Sequence, residues 1–221
     1  MNTVILSKTY SEPPFCEKEI LRYAGCKEAD EKIIALLRSC IAEAKDVLKY
    51  KVCYRHFYVK AHNDICDLGT FALRSENLAL NLNGCEGAVL FAATVGVGMD
   101  RLIAKYGRIS PSKALMLQAI GAERIEALCD TFCADMSKEY KTGIKPRFSP
   151  GYGDLSLAAQ KDIFAVLSPE KHIGLTLTDS LLMSPSKSVT AILGLGGKKE
   201  NTTTDKCALC DKIDCTFRGA L

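Results

Sequence analysis

The sequence predicts an α+β fold in which an antiparallel sheet is flanked by helices. Three features support this prediction: a long amphipathic helix, a short buried strand before it, and two strand-like segments towards the C-terminal end. These segments do not follow the regular alternation of strand and helix that a doubly wound parallel sheet requires. An antiparallel arrangement is therefore favoured.

The first half of the chain predicts helices followed by strands. In residues 17–50 apolar side chains recur at three- and four-residue intervals among charged ones, which is typical of an amphipathic helix, with a break at Gly25 and Cys26. Residues 52–65 are rich in β-branched and aromatic side chains and predict a strand. The apolar run at 87–95 is bounded by glycines and predicts a buried strand.

The second half contains the clearest helix. An apolar stripe runs through residues 110–142, and the Ser and Pro at its first two positions are typical of a helix N-terminus. Residues 156–167 predict a further helix. Residues 174–183 and 188–195 predict two strands that are joined by a turn at 184–187.

The composition of the 221 residues is that of a globular protein, with 48% hydrophobic and 25% charged residues. We expect one domain at 1–200 and a cysteine-rich tail at 201–221. A net charge of +3 without a dense basic run gives no reason to expect a nucleic-acid partner. No segment approaches the ~20 apolar residues of a membrane span, and none has the form of a signal peptide. We therefore expect a cytoplasmic protein without a membrane partner, whose cysteines are mostly small buried side chains.

The segment 143–154 is the most distinctive part of the sequence. It places Arg147 between two prolines, the second of which is Pro150, and Tyr152 between two glycines, the first of which is Gly151. The prolines restrict the backbone and the glycines permit sharp reversals, so the loop is stiff and unusually shaped. A guanidinium fork and an aromatic ring in such a loop suit a zwitterionic aromatic ligand. A rigid connector with a surface cation is the alternative.

Two segments resemble a known family. The sequences RFSPGY at 147–152 and LTDSLLMSPSKSV at 177–189 resemble the two signature segments of the activation domain of cobalamin-dependent methionine synthase. Shorter segments, ILRYAG at 20–25 and AATVG at 92–96, resemble stand-alone bacterial versions of that domain. The resemblance implies the same α+β fold, binding of S-adenosylmethionine, and a stand-alone activation protein.

The resemblance also implies site residues. In that family the arginine of the first segment grips the carboxylate of S-adenosylmethionine, and the Gly-Tyr pair frames the ligand. This assigns Arg147, Pro150, Gly151 and Tyr152 to the binding site. Asp179 in the second segment is a candidate partner for the ammonium group of the ligand. It is equally consistent with a residue that satisfies hydrogen bonds of a turn.

The function implied by the resemblance is reductive methylation of cob(II)alamin on a partner protein. The expected partner is a cobalamin-dependent methionine synthase that lacks its own activation domain, or a related corrinoid protein, with flavodoxin or ferredoxin as electron donor. No residue is assigned as a general acid or base. The alternatives are a non-catalytic corrinoid-protein adaptor or chaperone and a metal-binding redox accessory protein. The Gly-x-Gly at 96–98 lacks the acidic residue of a methyltransferase loop, which disfavours a small-molecule methyltransferase.

The C-terminal end departs from the family. The family carries an adjacent tyrosine pair downstream of the second segment, whereas residues 194–206 contain no tyrosine. A C-x2-C-x4-C cluster follows, formed by Cys207, Cys210 and Cys215. Three thiolates so close in sequence suit an iron-sulfur cluster or zinc, with a nearby aspartate or a distant cysteine as a further ligand. Reduced thiols or a redox-active cysteine pair remain as alternatives.

Overall fold

An antiparallel sheet of four strands organises residues 4–196, the part of the chain that the computed structural model describes. In chain order the elements are β1 (Leu6–Tyr10), α1 (Glu17–Tyr23), α2 (Glu31–Lys45), β2 (Tyr50–Tyr58), β3 (Lys60–His62), β4 (Ile65–Asp67), β5 (Ala72–Arg74), α3 (Glu76–Asn81), β6 (Gly87–Thr94), α4 (Val97–Ile109), α5 (Pro111–Tyr140), α6 (Ala159–Leu167), α7 (Pro169–His172), β7 (Thr176–Leu177), β8 (Met183–Ser184) and β9 (Ser188–Leu195).

The strand order in the main sheet is β1-β2-β6-β9, and every neighbouring pair is antiparallel. Strand β6 lies inside the sheet, and all its residues are buried because helices cover both faces. This explains why its sequence is continuously apolar rather than alternating. Strands β3, β4 and β5 form a separate three-stranded sheet.

Each face of the main sheet has its own hydrophobic core. On one face, side chains of β6 and β2 pack against α1, α2 and the long α5, as in the contact of Phe91 with Phe132, whose ring centroids are 4.7 Å apart. On the opposite face, Leu90 of β6 and Ile192 of β9 belong to a second core with Ile163 of α6 and residues of α3. The alternation of side chains along the strands produces this division.

The predicted fold class is confirmed: the structure is α+β, with an antiparallel sheet between helices. The buried strand, the long helix and the last strand lie close to their predicted bounds. Two predictions were wrong in detail. The predicted break at Gly25 and Cys26 does separate α1 from α2, but α2 ends at Lys45 and the chain enters β2 at Tyr50. The predicted strand at 52–65 ends at Tyr58, and β3 begins after one residue.

The predicted strand at 174–183 was also wrong. Only β7 and β8 are extended there, and they pair with each other across a turn. Inside the turn the backbone N–H of Thr178 donates to the carbonyl of Leu182, and its hydroxyl accepts from the N–H of Leu182. These local hydrogen bonds compete successfully with strand pairing. No helix within residues 4–196 is both long enough and apolar enough to cross a membrane.

Candidate functional site

The Arg147 loop, residues 143–154, runs along the free edge of β9. Phe148 and Ile192 exchange two backbone hydrogen bonds of 2.9 and 2.8 Å, and Ile144 forms a bridge with Leu195. The side chain of Phe148 is buried in the core on the α6 face of the sheet. Because neighbouring side chains of an extended segment point to opposite faces, Arg147 is directed to the α5 side.

On that side Arg147 meets two carboxylates of α5. Its Nη1 donates to Oδ1 of Asp130 over 2.5 Å, and its Nη2 donates to Oε2 of Glu126. The two acidic residues are four positions apart and therefore lie on one face of the helix. The Arg147 side chain is 9% exposed, while those of Glu126 and Asp130 are 41% and 66% exposed. The guanidinium is covered, but its partners remain open to solvent.

The electrostatics of Arg147 follow from this arrangement. Burial acts to lower its pKa, but the neighbouring Cys129 and the carboxylates of Glu126 and Asp130 outweigh that effect, so the pKa is raised above its ordinary value. Arg147 therefore stays charged at every physiological pH. It is a permanent cation at the edge of the sheet.

Helix α3 holds the other end of the loop. The carboxylate of Asp154 accepts hydrogen bonds from the Ser75 hydroxyl and from the backbone N–H groups of Glu76, at 2.7 Å, and Asn77, at 3.3 Å. It thus caps the N-terminus of α3, where unpaired N–H groups favour a negative charge. The Ser75 hydrogen bond is the main cause of a lowered pKa of Asp154.

Two further contacts make this attachment tight. The side-chain amide of Asn81 donates to the carbonyl of Pro146 over 3.2 Å. At Gly153, where φ is +56°, a Cβ would lie only 2.8 Å from Nδ2 of Asn77. The chain therefore needs glycine there both for its backbone torsion and for the close approach of α3.

The residues after Arg147 present a small open surface. Pro150 is buried, whereas Gly151 is exposed with a φ of +86°, and its N–H donates to the carbonyl of Leu155 over 2.8 Å. The Tyr152 ring is 37% exposed and meets Phe148 edge to face at a centroid distance of 5.2 Å. The loop thus exposes part of Tyr152 on the side of Phe148, whereas Arg147 is directed to the α5 side.

The structure brings four of the five predicted cofactor-binding residues together in one loop. The fifth, Asp179, lies in the exposed turn between β7 and β8, where Thr178 and Ser180 share a side-chain hydrogen bond of 3.0 Å. After this turn, Ser186 is held by Asp100 of α4, which accepts from its hydroxyl and its N–H. The second signature segment therefore forms a separate hairpin that precedes β9 in the chain.

Glu126 and Asp130 are site residues that the sequence analysis missed. The available signal was their spacing of four on the polar side of the longest predicted helix. The spacing alone did not indicate that a loop seventeen residues further on would place an arginine against them.

The predicted metal ligands Cys207, Cys210 and Cys215 lie outside the described residues. Within residues 4–196 there is no group of three or more His, Cys, Asp or Glu side chains arranged to hold a metal ion.

The architecture and the loop define an α+β domain with an arginine at the sheet edge that pairs with two solvent-open carboxylates. Comparison with known proteins gives its family. The family model for the vitamin B12 dependent methionine synthase activation domain matches residues 82–207, which is more than half of the chain. The chain belongs to this family.

A solved structure agrees in fold. The crystal structure of the MetH reactivation domain bound to AdoHcy superimposes with a TM-score of 0.64 at 15% sequence identity, covering 89% of this chain and 80% of that one. At this identity the similarity establishes a shared fold. A search of curated proteins finds no significant match.

Proposed function

We propose that this protein binds S-adenosylmethionine at the Arg147 loop and supports reductive methylation of cob(II)alamin on a cobalamin-dependent methionine synthase that lacks its own activation domain. Membership of the activation domain family supports a role in reactivation. The related domain that was crystallised with AdoHcy supports a ligand of the S-adenosylmethionine type. We propose that the protein acts in the cytoplasm, with flavodoxin or ferredoxin as the electron donor.

The observation that carries the proposal is the pairing of Arg147 with solvent-open carboxylates. S-adenosylmethionine has both a carboxylate and an ammonium group on the same carbon atom. Its carboxylate can replace Asp130 on the guanidinium fork, which favours bidentate binding of such groups. Its ammonium can then pair with Glu126, the other acidic residue beside Arg147 on α5. An exchange of this kind needs partners that water can solvate once they are displaced, and Asp130 is 66% exposed.

The remaining loop residues would orient the rest of the ligand. Gly151 is exposed with a φ of +86°, and the partly exposed Tyr152 ring offers an aromatic contact. Pro150 is buried and fixes the path of the chain between them. For Asp179 we propose a role at the rim of the site, because its exposed turn precedes β9, the strand that the loop follows.

When bound, S-adenosylmethionine supplies the methyl group that is transferred to the reduced cobalt of the partner. The protein positions the ligand: it holds S-adenosylmethionine through Arg147 at the β9 edge of the sheet, where a corrinoid module can approach. Holding two reactants in a productive geometry can contribute about 7–11 kcal/mol to a barrier. No residue of the loop has to give or take a proton in this transfer.

The experiment combines the full-length protein with a cobalamin-dependent methionine synthase that lacks an activation domain. Titanium(III) citrate serves as reductant, S-adenosylmethionine is added, and methylcobalamin formation is followed by absorbance. We expect formation with the wild type, a strong loss with Arg147→Ala, and no loss with Arg38→Ala. Arg38 is the matched control because it is 71% exposed on α2, away from the loop.

The same experiment separates the proposal from the adaptor alternative. An adaptor would bind the corrinoid partner equally well with and without Arg147 and would produce no methylcobalamin from S-adenosylmethionine. That combination of results would contradict the proposed function.

A further inference from the structure

We propose that Arg55 forms a second binding site, which takes a small oxyanion such as the phosphate or carboxylate group of a ligand. Arg55 lies on β2, and β6 separates that strand from β9, along which the Arg147 loop runs. Cys53 and Phe57, each two positions away in β2, belong to the core on the α6 face. Arg55 therefore faces that side, whereas Arg147 is directed to the α5 side. The inference is thus independent of the proposed function.

A small cleft lies beside the end of β2 that carries Arg55. The register of β1 and β2 places Leu6, the first residue of β1, opposite Tyr54, so residues 55–58 extend beyond the paired part of β1. The walls of the cleft are these residues and the turn at 68–70. The turn is closed by a hydrogen bond of 3.0 Å from the N–H of Leu68 to the carbonyl of Phe71.

The size of the cleft limits what it can hold. Its volume is about 60 Å³. A single buried water needs about 10–15 Å³, so the cleft has room for a group of a few atoms, such as phosphate or carboxylate, but not for a nucleotide. A ligand of larger size would place only its anionic group there and leave the rest outside.

The guanidinium of Arg55 has unused donors in this cleft. Its Nε is buried and has no hydrogen-bond partner. Its Cζ lies 4.7 Å from the centroid of the Phe57 ring, so an aromatic face covers one side of the group. That contact involves the flat face of the guanidinium and leaves its in-plane N–H donors available. Buried donors are rarely left unpaired in folded proteins, which indicates a partner from outside the chain.

Arg55 differs in this respect from comparable arginines. Four arginines within residues 4–196 have side chains that are buried or half-buried. Arg22 pairs with a carboxylate on its own helix, and Arg124 and Arg147 pair with carboxylates of α5. In the same part of the chain, Arg55 forms no ion pair with a carboxylate. An external oxyanion would supply the missing partner, and a planar fork of donors binds such a group in a bidentate manner.

The residues around the cleft favour an anion. Neither 55–58 nor 68–70 contains an acidic side chain, and the exposed Thr70 adds a hydroxyl that can donate a hydrogen bond. Asp67, which precedes the turn, accepts the N–H of Gly69 over 2.7 Å and is thus engaged within the turn itself. The cleft therefore combines a permanent positive charge with no carboxylate among its walls.

The test uses the full-length protein at low ionic strength, with inorganic phosphate and acetate as separate probes in calorimetric titrations. Arg55→Met keeps an apolar stem beside Phe57 but removes all donors, and Arg55→Lys keeps the charge but removes Nε. Arg74→Met is the matched control, because Arg74 is 78% exposed and already pairs with Asp64. Arg147→Ala shows whether a probe binds at the proposed S-adenosylmethionine site instead.

We expect saturable binding of at least one probe to the wild type, to Arg74→Met and to Arg147→Ala. Binding should be at least about tenfold weaker in Arg55→Met, which loses charge-assisted hydrogen bonds, and should be partly retained in Arg55→Lys. The probe that binds more tightly shows whether the natural ligand carries a phosphate or a carboxylate. In NMR spectra of the wild type, the same probe should shift the backbone amide signals of Gly69 and Thr70.

Four results would overturn the proposal. The first is that neither probe binds the wild type, and the second is that Arg55→Met binds as well as Arg74→Met. The third is a loss of binding in Arg147→Ala alone, which would place the probe at the other arginine. The fourth is an equal response to chloride at the same ionic strength, which would mean an adventitious ion only.

Discussion

Two arginines pair with carboxylates of the same helix, and their surroundings are opposite. Arg124 pairs with Glu123, and the exposed fractions of these side chains are 0% and 6%. Arg147 pairs with Glu126 and Asp130, whose side chains reach solvent. The difference indicates which arginine is structural and which can bind a ligand.

The Arg124 guanidinium is fully covered by groups of the protein itself. Its guanidinium donates to both oxygens of Glu123 and to the carbonyls of Pro13 and Pro14, at 2.6 and 2.7 Å. The ring of Phe15 covers it at 3.9 Å from the centroid. The ion pair thus fastens the segment before α1 onto α5, and a ligand has no route to it.

Arg147 is also largely covered, but both of its carboxylate partners are open to solvent. Once Glu126 and Asp130 are displaced, water can solvate them, so exchange for a ligand carboxylate leaves no buried carboxylate without a partner. Solvent access of the carboxylates, more than burial of the arginine, is what separates a structural ion pair from a candidate binding site.

The largest expected effect is on stability. Arg124→Met leaves Glu123 buried without its counter-ion and should lower the free energy of unfolding by about 3–5 kcal/mol. Arg147→Met should cost clearly less than Arg124→Met, because the carboxylates that it leaves behind are exposed and can be solvated. Urea unfolding followed by circular dichroism measures both. Equal losses would show that Arg147 is as structural as Arg124.

A smaller effect is expected where α3 fastens the loop. Asp154→Asn removes the negative charge from the N-terminus of α3 and should weaken binding of S-adenosylmethionine by about 1 kcal/mol, through a looser loop. Calorimetric titration gives the value, and Asp162→Asn, an exposed position on α6, is the control. If both variants bind S-adenosylmethionine like the wild type, the contact between Asp154 and α3 does not position the site.

If the ligand carboxylate replaces Asp130 at Arg147, one substitution should increase the affinity for S-adenosylmethionine. Asp130→Asn removes a competitor of the ligand carboxylate, and we expect binding to become stronger by up to about 1 kcal/mol, the usual size of an exposed ion pair. Decarboxylated S-adenosylmethionine should bind weakly to the wild type and gain nothing from the substitution. A gain for both ligands, or for neither, would argue against carboxylate exchange at Arg147.

The smallest effect concerns a half-buried histidine, His56. His56 is stacked on Tyr140 at 5.3 Å, and burial lowers its pKa below its ordinary value. Because the unfolded chain takes up the proton more readily, the stability due to neutral His56 is full above about pH 6.5 and is lost as pH falls through the folded pKa. His56→Gln should flatten the stability profile between pH 7 and 5. An unchanged slope would mean that His56 titrates normally.

The sequence was sufficient to predict the elements with strong periodicity. The apolar stripe of α5 and the continuous apolar run of β6 predicted both elements because burial on the sheet dictates these patterns. The hairpin at β7 and β8 was not predictable in the same way. There Thr178 satisfies the backbone locally and interrupts a segment that is otherwise suited to a strand.

Of the candidate site, only the Arg147 loop was predictable from the sequence. Proline and glycine spacing marked the Arg147 loop, because those residues act on the backbone locally. The acidic partners on α5 and the capping of α3 by Asp154 depend on long-range contacts, 79 positions apart in the case of Ser75 and Asp154. No local pattern in the sequence reports such contacts.

The most direct test of the account is calorimetric titration of S-adenosylmethionine into the wild type, Arg147→Ala and Arg38→Ala. We predict saturable binding to the wild type and to Arg38→Ala, and a loss of about 1.5 kcal/mol or more, at least tenfold in affinity, for Arg147→Ala. Equal binding by all three proteins, or no binding by the wild type, would contradict the assignment of Arg147 as the arginine that binds the ligand.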